Sequence, residues 1–279
     1  MCTVMNEQSA MEKWKNATIA NNFIFYKVMR NNPDVCKQLL EILLGFKIDH
    51  IEMRQEEEVA IDYGKKAVRL DVYAIGQKQA YNLEMQATDT DELPERSRFY
   101  QGALDLDDLD AGDNYTNLRT SYIIFICIQD IFGKGLGIYR FENMCIIDED
   151  YRTINLNDRA YKYFFIAKNY ANIFNEEQKA FLELVISNKG TSAFTRKLKN
   201  LVEDAKQNTQ WRKQFMQFDN YMSISFRQGK KEGEQQKAIE DARSFYANGA
   251  SIELIAKSLN MTIEQVKEIV KDTVPVQAN

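Results

Sequence analysis

Arg69-Leu70-Asp71-Val72-Tyr73-Ala74 and, a few residues on, Tyr81-Asn82-Leu83-Glu84-Met85-Gln86 are the two stretches that decide the fold of this chain. Val68, Leu70, Val72 and Ala74 alternate with Arg69, Asp71 and Tyr73, and Tyr81, Leu83 and Met85 alternate with Asn82, Glu84 and Gln86. A period of two is the mark of half-buried strands, each with one apolar and one polar face. A turn centred on Gln77-Lys78, flanked by Gly76 and Gln79, joins them as a hairpin in which paired residue numbers sum to 155. Asp71 then falls opposite Glu84, with Cβ atoms about 5 Å apart on one face. Like charges at that range destabilise a sheet unless one is protonated or a cation lies between them. Two hard oxygen donors on a rigid hairpin suit Mg²⁺ or Mn²⁺. A register shifted by one residue, or a solvated face on which Asp71 pairs with Arg69 or a nearby lysine, gives the same pattern without a metal.

Asp71, a twelve-residue gap and Glu84-x-Gln86 in an apolar strand resemble the core of the PD-(D/E)XK nuclease superfamily, with Gln86 where lysine is usual. Four ordered blocks carry the resemblance to its recombination-promoting nuclease and transposase branch: Tyr63 to Asp71, Tyr81 to Gln86, Pro94 to Gln101, and Ser121 to Cys127. It covers roughly the first 170 residues. The resemblance implies an α/β, restriction-endonuclease-like core, a mixed sheet flanked by helices, in a metal-dependent DNA endonuclease. Asp71 and Glu84 would hold Mg²⁺, or Mn²⁺, together with the backbone carbonyl of Met85, and Gln86 would orient the attacking water. An amide brings neither the charge nor the exchangeable proton of a lysine. A glutamate from the first helix often completes such a site, which makes Glu41 a candidate. Arg96 and Arg98, at the start of the next helix, are candidates for contact with DNA phosphate; surface ion pairs are the other reading.

Composition agrees with an ordinary globular chain. Of 279 residues 44% are hydrophobic and only three are proline, which permits one sizeable domain with an appendage. No apolar run is long enough to span a membrane, and no basic-then-apolar leader opens the chain, so a cytoplasmic protein is the expectation. Cys2, Cys36, Cys127 and Cys145 lack Cys-x-x-Cys spacing and His50 is the single histidine, which argues against a zinc site or a His-activated nucleophile. Cys127 and His50 are read as structural. Net charge is −5, yet between Lys189 and Lys237 eleven Lys and Arg stand against five Asp and Glu. That segment is either a phosphate-attracting surface or a solvated helical face.

Along the chain, Asn32-Pro33 and Gly45 bracket a helix over 33–45. Strands are expected within 50–62, 67–75 and 80–87. A helix runs from Pro94 to about Leu109, followed by a buried strand over 122–129 and further strands at 138–141 and 161–167. Asp105, Asp107, Asp108, Asp110 and Asp113 lack EF-hand spacing and read as a solvated acidic helix end. After Asn169 the periodicity is helical. The division is a nuclease-like domain at 1–170, a helical extension at 171–226, and a charged linker with a small helix-turn-helix-like tail at 227–279. Arg227 to Lys237 reads as a flexible linker or a frayed helix. The tail's final helix is poor in basic residues, so self-association through the C-terminal helices competes with DNA contact. The rival to an active nuclease is a DNA-binding or assembly protein that keeps the nuclease fold with little or no catalysis.

Overall fold

A computed structural model of the chain describes residues 10–54, 72–88, 91–147 and 152–273. Asp71 and the expected strand beyond Arg54 lie outside the described residues. Eight described strands form two sheets. The larger contains β1 (Glu52–Met53), β2 (Val72–Ile75), β3 (Gln79–Gln86), β4 (Thr120–Cys127), β5 (Ile138–Phe141) and β8 (Ala160–Ile166), in the order β1-β2-β3-β4-β8-β5. The smaller pairs β6 (Met144–Ile147) with β7 (Arg152–Asn155). Pairing is antiparallel for β1-β2-β3 and β8-β5 and parallel for β3-β4-β8, so the sheet is mixed as expected.

The hairpin turn is the predicted one. Gly76 N–H donates to the carbonyl of Gln79 at 2.8 Å, leaving Gln77 and Lys78 as the two-residue loop. Val72 pairs with Leu83, Tyr73 with Asn82, Ala74 with Tyr81 and Ile75 with Ala80, each pair summing to 155. Parallel pairing to β4 then sets Asn82 beside Ile123, Glu84 beside Phe125 and Gln86 beside Cys127. Parallel strands need a crossover, and the helix α3 (Leu93–Asp108) supplies it between β3 and β4.

Before the sheet come α1 (Asn22–Asn31) and α2 (Pro33–Leu44). Asn21 caps α1 by accepting from Ile24 N–H, and α2 has proline in its first turn and ends at Gly45 in the left-handed region, φ 78°. The α3 face of the sheet buries Ala80, Ile123, Phe125, Cys127, Phe164 and Ile166 against Leu93, Tyr100, Ala103 and Leu104. Rings of Phe125 and Phe164 stack there at 5.2 Å. On the opposite face Tyr122 stacks between Tyr81 and Tyr161, each at 5.4 Å, and meets Phe46 at 5.7 Å. Gln178 of α4 (Glu176–Ser187) donates to the carbonyls of Ile42 and Leu43 and so satisfies the open end of α2. The helix α5 (Ala193–Gln207) follows, closed at its start by a Ser192–Thr195 capping box.

The chain divides into two compact units, one over residues 12–213 and one of residues 1–11 with 214–279. In the second, Arg227 to Lys237 is neither linker nor frayed end: it lies inside α6 (Thr209–Ala247), a continuous helix of 39 residues. Side-chain pairs four residues apart support it, Gln228 with Glu232, Lys230 with Glu234 and Gln236 with Glu240, across Gly229 and Gly233. The tail is a small helix-turn-helix-like unit: a turn at Gly249 (φ 84°), Ser251 capping α7 (Ile252–Leu259), left-handed Asn260, and a Thr262–Gln265 capping box opening α8 (Ile263–Val270). Its core is Ala242, Ile255, Ala256, Val266 and Val270, whereas Ile263 is exposed.

Candidate active site

Alternation on β3 sends Tyr81, Leu83 and Met85 to the tyrosine-stacked face and Asn82, Glu84 and Gln86 to the α3 face. Because β3 has strands on both sides and helix α3 above, all three polar residues are buried: Asn82 0% exposed, Glu84 3%, Gln86 8%. Sequence reasoning reads this face as the polar one and sets a candidate metal pair on it, without fixing its burial. Its burial is what makes it costly and chemically suggestive, since buried polar groups demand partners.

Arg96 comes down from the first turn of α3 to meet them. Its Nη2 lies 3.8 Å from Glu84 Oε2, an ion pair longer than a hydrogen bond. Nη1 donates to Gln86 Oε1 at 3.0 Å and Nη2 to Tyr100 Oη at 3.0 Å. The guanidinium also sits over the rings of Tyr100 and Phe125, 5.4 and 5.7 Å from their centroids. Gln86 is held at its other end as well, Nε2 donating to the Thr88 carbonyl at 2.5 Å. The positive charge that glutamine fails to bring to this strand is therefore present, delivered by Arg96.

Arg98 does not join it: two residues on, it occupies an exposed face of the same helix. Glu41 has other partners. Its carboxylate accepts from Ile48 N–H at 3.0 Å and pairs with Lys47 at 3.0 Å and Lys37 at 3.9 Å. The Ile48 amide first, then Lys47, hold its carboxyl below the usual range against the cost of burial. The adjoining Phe46 packs on Tyr122, on the sheet face away from Glu84. Met85 lies between Glu84 and Gln86 with its side chain buried on that same far face.

The acidic end of α3 is in part solvated, with Asp107, Asp110 and Asp113 exposed, and in part used structurally. Asp108 pairs with Arg119, Asp107 accepts from Tyr73 Oη at 3.0 Å, and Asp105 accepts from Gln101 at 3.0 Å. Burial, then the charge of Asp107, pushes the Tyr73 hydroxyl upward, so it stays neutral and donates. His50 is exposed beside the Gly76 turn, at the other end of β3 from Gln86. Cys127 is a buried core residue, and burial pushes the Cys36 thiol up to about 12, which leaves neither as a nucleophile.

Among the described residues no three His, Cys, Asp or Glu side chains gather in one place. What does fit a hard cation is the donor chemistry of β3: a buried carboxylate at Glu84 and, on the same face, the amide oxygen of Asn82, to which no described residue donates. Also among the described residues, no helix is long and apolar enough to cross a membrane.

Neither the curated proteins nor the solved structures include a match to the chain. The family profile described as PD-(D/E)XK nuclease family transposase matches residues 21–249, well beyond the first 170 residues that carry the sequence resemblance. With a mixed six-stranded sheet flanked by helices, Glu84-x-Gln86 on its central β3 strand and a helical C-terminal region, this restriction-endonuclease-like chain belongs to the PD-(D/E)XK nuclease family transposases.

Proposed function

We propose that the protein is a metal-dependent endonuclease that hydrolyses phosphodiester bonds in DNA. The observation that carries this reading is the buried Glu84, two residues before Gln86 on the same face of β3, with the Arg96 guanidinium against both. Asp71, which lies outside the described residues, and Glu84 are, with the Met85 carbonyl, the proposed ligands of Mg²⁺ or Mn²⁺; the spacing of Asp71 and Glu84-x-Gln86 in the sequence supports the set. When bound, the cation would supply Lewis acidity toward an attacking water and charge for the phosphoryl oxygens.

The protein's own groups do the rest. Gln86 Oε1 accepts from Arg96 and retains a second lone pair with which to accept from the attacking water. Arg96, held over Tyr100 and Phe125, is directed toward phosphate oxygen, where a planar guanidinium makes paired charge-assisted hydrogen bonds. Positive charge that accompanies the glutamine in this way offsets the loss of a lysine at position 86. Plasmid nicking in Mg²⁺ or Mn²⁺ tests the assignment: Asp71→Ala and Glu84→Ala are expected to abolish it with folding intact, and unchanged cleavage in both variants rules it out.

One observation favours a second reading, a DNA-binding or assembly protein that keeps the fold without cutting. Arg96 already pairs with Glu84, and Gln86 is hydrogen-bonded at both ends, so among the described residues the charge of Glu84 is met without a cation. Calorimetric titration with Mn²⁺ separates the two. Heat that disappears in Glu84→Ala supports the nuclease, and no binding by the wild type supports its rival.

A further inference from the structure

Asn82 lies on the same face of β3 as Glu84, two residues before it, and is completely buried. Neither its Oδ1 nor its Nδ2 has a hydrogen-bond partner among the described residues. A side chain with two polar ends, closed off from solvent on a central strand, is destabilising unless a partner beyond the described residues satisfies it. Packing does not call for an amide here. Of its neighbours on that face Ala80 and Ile123 are apolar, Tyr73 opposite it gives its hydroxyl to Asp107, and leucine has nearly the same shape. Gln101 Oε1, in the same buried layer through its bond to Ser121, is a second acceptor to which no described residue donates.

We infer that Asn82 is a positioning residue for the divalent cation, its amide hydrogen-bonding water in the shell of an ion held by Glu84; this rests on the metal site proposed above. The spacing suits that role. Side chains two residues apart on one strand face are separated by roughly 6.5 Å along the strand, while Mg²⁺ binds oxygen at about 2.1 Å and a hydrogen bond adds about 2.8 Å. One water fits between the ion and the amide. Asn82 Oδ1 accepts from that water and so fixes its orientation, as partners beyond the direct ligands do at metal centres.

The test measures Mn²⁺ affinity by calorimetry and the thermal midpoint of the metal-free protein in full-length wild type, Glu84→Ala, Asn82→Leu and Asn82→Asp. Expected are loss of binding in Glu84→Ala, about tenfold weaker binding in Asn82→Leu, and tighter binding than wild type in Asn82→Asp, which adds a charge beside the ion. Metal-free Asn82→Leu is expected to melt no lower than wild type, because it removes an unsatisfied polar group. A leucine variant that binds Mn²⁺ within twofold of wild type, or melts lower, overturns the inference while Glu84-dependent binding leaves the metal site standing. An aspartate variant that binds more weakly than wild type overturns it too. Absence of Mn²⁺ binding in the wild type overturns both the inference and the site on which it rests.

Discussion

Replacing Arg96 with methionine keeps much of the stem that covers Tyr100 and Phe125 and removes the guanidinium 3.8 Å from Glu84. At that separation two unit charges attract by about 4 kcal/mol at an effective dielectric constant of 20 and by about 1 kcal/mol in water. Arg96 keeps 28% of its side chain exposed while Glu84 keeps 3%, so the pair lies between those limits, and a coupling of about 2–3 kcal/mol is expected. A double-mutant cycle isolates it: Arg96→Met, Glu84→Gln and the double variant, each unfolded in urea at neutral pH with a chelator. Arg96→Met alone is expected to cost more than Glu84→Gln, because it strands a carboxylate inside the sheet and releases Gln86 and Tyr100 from their bonds. Added Mg²⁺ is expected to stabilise Arg96→Met more than wild type, since the cation then neutralises Glu84. A coupling below about 0.5 kcal/mol, the size found for two screened surface charges, refutes the electrostatic account of this site.

Glu41 gives a prediction with a pH signature. Its carboxyl is held below its usual range chiefly by the Ile48 amide and then by Lys47, so its contribution is complete at neutral pH and is lost as the pH falls below about 4.5 through the folded-state value. Glu41→Gln is therefore expected to cost about 0.5–1 kcal/mol at pH 7, a cost that shrinks as the pH is lowered through the folded-state value in paired urea titrations, with Mn²⁺ affinity unchanged; a fall in Mn²⁺ affinity would return Glu41 to the metal site. Gly45→Ala forces a Cβ into φ 78° with open space around it, so strain alone is expected to cost about 1 kcal/mol, again read from urea unfolding.

Much of this architecture is legible in the sequence because its signals are local. The 155 register follows from alternation on both sides of a two-residue turn, and Pro33 with Gly45 brackets α2 to within a residue. The tail's caps at Ser251 and Thr262 are likewise written in short motifs. What escapes is what depends on the third dimension. Asn82, Glu84 and Gln86 read as a polar face whose burial the sequence leaves open, because polarity reports burial only when nothing packs above, and α3 does pack above. Arg96 and Arg98 are equivalent as letters and differ because helical rotation carries one inward and the other out. Gly229 and Gly233 argue for a break, at about 1 kcal/mol each, yet α6 runs through both, with side-chain pairs four residues apart spanning them. The β6–β7 hairpin is short, and sequence reasoning misses it.

One consequence of the crossover geometry concerns the order of folding. Asn82, Glu84, Gln86, Arg96 and Tyr100 all come from β3 and the first turns of α3, one continuous stretch of chain. Bringing them together requires only short loop closures, whose entropic cost is small and grows slowly with length. Pairing of β4 with β8 joins Ser121 to Ala160, a far longer closure. These five groups can therefore gather early, as a local nucleus on which the parallel half of the sheet later condenses.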